Sequence, residues 1–214
     1  MSADGDRTEG PTRQRRIVVT GGPGAGKTAA LELARRVFSR NVSVLKEAAS
    51  IIFTGGFPRN PDPDGQRSVQ RAIFHVQVEL ERMVENHPHT RLVLCDRGTI
   101  DGLAYWPDDA ESFWRDLGTT LDEQLARYDS VIHLRSPSAR EGYEMNGIRI
   151  ETAAEAARID ARIAKAWERH PRRFVIESSM DFLEKASHAV ALIGEELPPD
   201  CREQPIARSE GRQV

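Results

Sequence analysis

Short apolar runs alternate with stretches of helical periodicity along most of this chain. Runs of three or four mostly apolar residues predict five β-strands, at 17–20, 42–45, 92–95, 131–134 and 174–176. Between them, apolar residues recur every three or four positions, which predicts helices; the longest series is Val69, Ile73, Val76, Leu80 and Met83. Because alternating strands and helices build a sheet covered on both faces, the pattern predicts a three-layer α/β fold with a five-stranded parallel sheet flanked by helices.

The remaining segments complete this prediction. Further helices are expected over 111–128, 152–169 and 182–192. The segment 54–66 carries Gly, Pro and Asp without periodicity, which predicts a long loop placed to cover a site. Both ends of the chain are polar and aperiodic, so we expect disordered tails over 1–14 and 197–214 around one folded domain at 15–196.

Composition and charge exclude several classes of protein and leave the fold prediction unchanged. The 214 residues are 39% apolar, which suits one domain with a core. The net charge of −3 shows no basic excess, so we expect no nucleic-acid partner. We expect no membrane association and a cytoplasmic protein, because no apolar stretch could cross a bilayer and the acidic N-terminus is unlike a signal peptide. The cysteines and histidines lack metal or disulfide spacing, and His133 is expected to be a satisfied core residue.

A glycine-rich segment lies where the first predicted strand ends and the first helix begins. Its residues are Gly21, Gly22, Pro23, Gly24, Ala25, Gly26, Lys27 and Thr28. This spacing is that of a P-loop, in which glycines let backbone N–H groups turn toward an anion and the helix dipole adds positive charge. The lysine of such loops reaches the β- and γ-phosphates and the hydroxyl binds Mg²⁺, so we assign these roles to Lys27 and Thr28. The segment predicts binding of a nucleoside triphosphate, taken as ATP, together with Mg²⁺.

Polar residues also follow the next three predicted strands, and ligands of open parallel sheets bind at such strand ends. Glu47 follows the second strand and can accept a proton from a hydroxyl, although an acid there can also simply begin a helix. Asp96 and Arg97 follow the third strand; Asp96 has the position of a Walker-B acid that holds Mg²⁺, and Arg97 can bind an acceptor or the moving phosphoryl group. Arg140 and Arg149, after the fourth strand, either form a lid over the phosphates or remain surface residues.

These features together resemble the small P-loop kinases, the superfamily that holds deoxyribonucleoside, thymidylate and ribosylnicotinamide kinases. More closely, the chain is similar to a bacterial set of small AAA-domain ATP-binding proteins grouped near ribosylnicotinamide kinase. The stretches that carry the resemblance are 18–28, 47–49, 74–81, 96–106, 149–151 and 170–173. The part from Gly98 to Trp106 departs from the nucleoside kinases and leaves the identity of the acceptor open.

The resemblance implies roles for particular residues. In nucleoside kinases the acid after the second strand is the general base, which places that role on Glu47, and the acid–arginine pair after the third strand corresponds to Asp96 and Arg97. A glutamine on the intervening helix reads the base, which implies Gln77, with Phe74 one turn earlier as a stacking surface. Both of these helix residues fit the second face of an amphipathic helix equally well.

Three functions are consistent with these patterns. The leading one is an ATP-dependent phosphotransferase acting on a small hydroxyl-bearing metabolite, with nucleoside-like acceptors among the candidates. The alternative is a regulatory ATPase or GTPase switch without an acceptor. However, no asparagine precedes a lysine, as a guanine-reading Asn-Lys-x-Asp requires, and the Asp-x-x-Gly form at 62–65 follows no strand. A kinase of nucleic-acid ends would need a positive groove, which the charge balance does not indicate.

Overall fold

The computed structural model describes residues 14–38, 42–85, 87, 90–137, 153–178, 181–197 and 201. Its centre is one sheet of five strands: β1 (Arg15–Thr20), β2 (Val42–Leu45), β3 (Leu92–Asp96), β4 (Ser130–Leu134) and β5 (Arg173–Ile176). The strand order is β2-β3-β1-β4-β5, and every neighbouring pair is parallel. The predicted five-stranded parallel sheet is therefore confirmed, and each observed strand covers its predicted run.

Helices connect the strands. They are α1 (Lys27–Val37), α2 (Ala48–Thr54), α3 (Pro63–Val84), α4 (Ala110–Leu117), α5 (Leu121–Leu125), α6 (Ala153–Ala166) and α7 (Phe182–Glu196). A 3₁₀ helix at Thr99–Tyr105 follows β3 directly. Among the described residues, none of these helices combines the length and the apolar character needed to span a bilayer.

The helices cover both faces of the sheet and give the three predicted layers. Side chains of a strand alternate between faces, so Ile17 and Val19 of β1 pack into one core, whereas Val18 packs into the other. The first core is closed by apolar residues of α1 and α7. The second core is closed by the 3₁₀ helix and by the end of α6, where Trp167 is completely buried.

The helix expected over 111–128 is instead two short helices, α4 and α5. Gly118 ends α4 in the left-handed conformation, with φ of 64°. Thr120 then begins α5 by accepting a hydrogen bond from the Glu123 N–H at 3.2 Å, and the Glu123 carboxylate accepts one from the Thr120 N–H at 2.9 Å. These local capping signals divide a segment whose apolar periodicity alone suggested one helix.

The loop expected over 54–66 is shorter than predicted because α3 begins at Pro63. Asp62 caps this helix, since its carboxylate accepts the Gly65 N–H at 2.9 Å. The Asp-x-x-Gly form at 62–65 is therefore the N-terminal cap of α3.

The packed domain continues slightly beyond the predicted boundary at residue 196. Leu197 and Cys201 are 1% and 8% exposed and belong to the core formed with α1 and α7. Cys201 was expected in a polar tail, but its small apolar side chain is buried against this core.

Candidate active site

The glycine-rich segment is a tight loop between β1 and α1, at the carboxyl end of the sheet. Gly21 has a φ of 138°, and a Cβ there would lie 2.0 Å from the carbonyl oxygen of Leu134 in β4. Only glycine allows the chain to turn this close to the neighbouring strand. The Ser136 hydroxyl donates to the Pro23 carbonyl at 2.9 Å and further fixes the loop. The strand–loop–helix context that a phosphate-binding loop requires is therefore present.

Lys27 lies in the first turn of α1 and reaches back across the loop. Its ammonium donates to the carbonyl oxygens of Gly21 and Gly22 at 3.0 and 3.1 Å. Burial and the nearby Arg97 guanidinium lower its pKa to about 8, against the opposing effect of the neighbouring carboxylates. The ammonium is therefore still mostly charged at neutral pH and is positioned where phosphate oxygens would meet the loop.

Asp96, the last residue of β3, is a half-buried carboxylate with one oxygen that makes no hydrogen bond to the described residues. It lies beside Val19 of β1 in the sheet register, and its Oδ1 has no hydrogen-bond partner within the described part of the chain. Burial raises its pKa to about 6, with Lys27 opposing the shift. The exposed Thr28 hydroxyl follows Lys27 in α1. Mg²⁺ prefers hard oxygen donors such as a hydroxyl and a carboxylate oxygen without a hydrogen-bond partner. The Thr28 hydroxyl and Asp96 Oδ1 therefore fit the predicted ion.

Arg97 follows β3, and its side chain binds Glu47, the acid that follows β2. Its backbone has a φ of 70°, the one positive value among described residues other than glycine, and such strain is typical of functional sites. Its Nε donates to Glu47 Oε1 at 2.7 Å, and its Nη1 lies 3.7 Å from Asp101 Oδ1 without a hydrogen bond. Tyr105, Asp101 and Glu47 outweigh the effect of burial and raise its pKa well above the ordinary value, so the guanidinium stays charged.

Glu47 occupies the N-cap position of α2, yet its side chain makes no capping hydrogen bond. Its carboxylate instead accepts from Arg97 and from the Ser50 hydroxyl. Burial alone would raise its pKa, but Arg97, Ser50 and Lys27 together hold the pKa below its ordinary value. Glu47 therefore begins a helix and also presents an ionised carboxylate beside the P-loop, so its role as a proton acceptor stays a prediction.

Asp101 is a site residue that sequence reasoning missed. It is 2% exposed, accepts a hydrogen bond from the Thr20 hydroxyl at the end of β1, and accepts the Gly98 N–H at 2.7 Å. These bonds fix the turn that carries Arg97. A possible signal was its position three residues after Gly98, where an acid often accepts the first N–H of a helical turn.

A cavity of about 400 Å³ extends from the P-loop to α3. Its wall includes Lys27, Glu47 and Arg97. The wall also includes Gln70, Ile73 and Gln77 of α3, Phe53 of α2 and Arg59 of the loop after α2. Arg59 lies within the segment expected to cover a site, so this segment does border the cavity. The volume suits a small metabolite.

The two substrate contacts expected on α3 have different positions. Gln77 lies on the wall, but its amide donates to Glu81 at 2.9 Å and is 2% exposed. Phe74 is buried edge-on against His75 and is not among the wall residues, so it offers no stacking surface there; Ile73 faces the cavity instead. Gln70, which the sequence did not single out, is 6% exposed, and its Oε1 has no partner among described residues.

The two arginines expected to form a lid, Arg140 and Arg149, lie outside the described residues.

A second carboxylate missed by the sequence lies behind the P-loop. Asp160 of α6 accepts the Gly22 N–H at 2.9 Å, lies 2.9 Å from the ring nitrogen Nε2 of His133, and pairs with Arg135 at 3.1 Å. A Cβ on Gly22 would lie 2.8 Å from that of Asp160, so only glycine permits this approach. His133 is completely buried, as expected of a core residue; its Nε2 is bonded to Asp160, but its Nδ1 has no hydrogen-bond partner among the described residues.

Comparisons with known proteins support this architecture. A family model described as an AAA domain matches residues 16–185. Among solved structures, the chain is similar to a thymidylate kinase from Candida albicans, with a TM-score of 0.57 and 11% sequence identity over 89% of this chain and 94% of that one. No functionally curated protein matches the sequence. At this identity the structural likeness establishes the fold, which is that of the P-loop kinases.

Proposed function

The chain belongs to this AAA-domain family, and from its site we propose that it is an ATP-dependent phosphotransferase that transfers the γ-phosphoryl group to a small hydroxyl-bearing metabolite. The observation that carries the proposal is that Lys27 of the P-loop and the carboxylate of Glu47 lie on the wall of one cavity. A phosphate-binding group and a proton acceptor on one cavity wall are what transfer to a bound hydroxyl requires.

The P-loop side of this cavity would hold Mg·ATP. Backbone N–H groups of residues 21–26, the start of α1 and Lys27 supply positive potential for the phosphates. Thr28 and the unpartnered oxygen of Asp96 would hold Mg²⁺, which neutralises charge on the transferred group when bound.

The opposite side would hold the acceptor. Glu47 is ionised at neutral pH, as a base must be before it can accept a proton. Its lowered pKa makes it a weak base, and this suffices where the transition state is loose and little proton transfer is needed early. The unused Nη1 of Arg97 is a donor that could contact either the phosphoryl group or the acceptor.

The engaged state of Glu47 also favours a second candidate, a regulatory NTPase switch without an acceptor. Because both of its oxygens accept hydrogen bonds, Glu47 could act only to hold Arg97 in place. In that case nucleotide binding would alter the Glu47–Arg97 pair, and no small molecule would be phosphorylated.

Acceptor-dependent ADP release separates these functions. Purified protein with Mg·ATP or Mg·GTP would be tested against a panel of nucleosides, nucleotides and small hydroxy compounds. A phosphotransferase releases ADP faster with one class of acceptor and forms an equivalent amount of phosphorylated product. A slow rate that no panel member changes would reject the transferase in favour of the switch.

A further inference from the structure

Among the described residues, three cations line the active-site cavity, and they are not equivalent. Arg97 is paired with Glu47, and Lys27 donates to two P-loop carbonyls. Arg59 has neither an ionic nor a hydrogen-bonded partner among the described residues. Its guanidinium lies over the ring of Phe53, with its central carbon 3.6 Å from the ring centroid. When the phosphates of a nucleotide bind Lys27, Arg59 is the cation on the described part of the cavity wall that still has no anionic partner.

The close contact with the face of the Phe53 ring restrains the Arg59 guanidinium. Stacking on an aromatic face uses the plane of the group, whereas the N–H donors point outward in the plane. These donors match the two oxygens of a carboxylate or phosphate, which a guanidinium binds bidentately. The cavity wall therefore carries a charged group with hydrogen-bond donors that no described residue uses.

The loop that carries Arg59 is fixed close to this position. Two residues after Arg59, the Pro61 carbonyl accepts the Gln66 amide at 2.9 Å, and Asp62 caps α3 through the Gly65 N–H. An arginine anchored by its ring contact and by its neighbours loses less freedom on binding than one on a free loop.

Other wall residues restrict where a second anionic group could lie. Glu47 and Asp101 place negative charge near Arg97, so an acceptor anion would be repelled there. Gln70 supplies an almost completely buried amide whose Oε1 has no described partner, which marks the region between Glu47 and α3 as a polar ligand site.

We propose that the phosphoryl acceptor carries an anionic group, a carboxylate or a phosphate monoester, in addition to the group that is phosphorylated, and that Arg59 supported by Phe53 binds this anion. This assignment rests on the proposed phosphotransferase function and specifies its substrate class. The reacting hydroxyl would lie toward Glu47 and Lys27, and the anion toward Arg59.

Matched acceptor pairs that differ only in charge test the assignment. Nucleosides would be compared with their 3′- and 5′-monophosphates, and small hydroxy acids with their methyl amides, by acceptor-stimulated ADP release. We expect the charged member of one series to have the higher kcat/KM; the series that responds distinguishes phosphate from carboxylate. In Arg59→Gln, KM for that acceptor should rise roughly 10- to 100-fold, the effect of a charge-assisted hydrogen bond, while the affinity for Mg·ATP stays unchanged.

Two further variants make the result specific. Arg59→Lys keeps the charge but loses the fork, so it should fall between wild type and Arg59→Gln. Arg82→Gln removes the same charge from an exposed residue of α3 that pairs with Glu79 outside the cavity, and it should behave as wild type. A preference for neutral acceptors, an equal loss on neutral and charged acceptors, or weakened Mg·ATP binding in Arg59→Gln would overturn the assignment while leaving phosphotransfer established. ADP release that responds to no acceptor would instead reject the proposed function, and the assignment with it.

Discussion

Replacing Asp96 by asparagine should stabilise the fold while it damages the metal site. The wild-type carboxylate is half-buried at the end of β3, its Oδ1 has no hydrogen-bond partner among the described residues, and its pKa rises from the ordinary value of 3.8 to about 6. A tenfold change in proton affinity corresponds to about 1.4 kcal/mol, so holding the group ionised at pH 7.5 costs the folded protein about 3 kcal/mol. Asparagine resembles the protonated carboxyl and avoids this cost.

The sign of the pH dependence follows from the raised pKa. Below about pH 3 the carboxyl is protonated in both folded and unfolded chains, so its ionisation costs nothing. As the pH rises toward 6 the unfolded chain loses its proton first, and wild-type stability falls relative to the variant. The stability advantage of Asp96→Asn should therefore be small at pH 4 and reach its full value above pH 7.

Urea denaturation without Mg²⁺, at pH 4 and pH 7.5, measures this difference. Asp122→Asn is the control, because Asp122 is 75% exposed in its pair with Arg169 and should change stability by less than about 0.5 kcal/mol. The reasoning is refuted if Asp96→Asn is less stable than wild type at pH 7.5, or if its advantage is the same at both pH values. In the same variant, the Mg²⁺ concentration that supports half-maximal turnover should rise more than the KM for nucleotide, because the metal loses a charged ligand.

Three other substitutions test the phosphate site and the base. Lys27→Ala should weaken Mg·ATP binding roughly 10- to 100-fold by calorimetry with the fold intact, since a charged contact to phosphate is lost; unchanged affinity and activity would contradict the P-loop assignment. Glu47→Gln should lower acceptor phosphorylation roughly 10²- to 10⁴-fold at near-normal Mg·ATP affinity, and wild-type transfer rates would contradict its role as base. Asp160→Asn should lower the free energy of unfolding by roughly 1–3 kcal/mol and weaken Mg·ATP binding, because the Gly22 N–H loses a charged acceptor; equal denaturation and titration curves would show that the contact is dispensable.

The fold and the phosphate loop could be predicted because their signals are local. Periodicity within a few residues separates strands from helices, and eight contiguous residues define the P-loop between β1 and α1. The ends of the predicted strands also marked Glu47, Asp96 and Arg97 as residues at one edge of the sheet. In the structure, Glu47 and Arg97 line the same cavity as Lys27, between the P-loop and α3. Boundaries were less predictable, since single caps such as Asp62 and Thr120 decided where α3 and α5 begin.

Contacts between distant segments were decided only by tertiary structure. Periodicity identifies the apolar stripe of α3 but not the rotation of the helix against the sheet, so it could not show that Phe74 is buried while Ile73 faces the cavity. Nor could it show that Glu81 accepts from the amide of Gln77, or that the Oε1 of Gln70 has no hydrogen-bond partner among the described residues.

The sequence by itself therefore determined the parallel α/β architecture and the position of the phosphate loop, because backbone periodicity and loop conformation depend on neighbouring residues. Only the tertiary structure decided which charges meet. The strand order places β2 beside β3, which brings Glu47 to Arg97 across 50 residues. The packing of α6 behind the loop that follows β1 brings Asp160 to Gly22 across 138 residues. The charges and hydrogen bonds that these groups meet, acting against their burial, then shift their pKa values. These effects depend on the surrounding packing and on no local pattern.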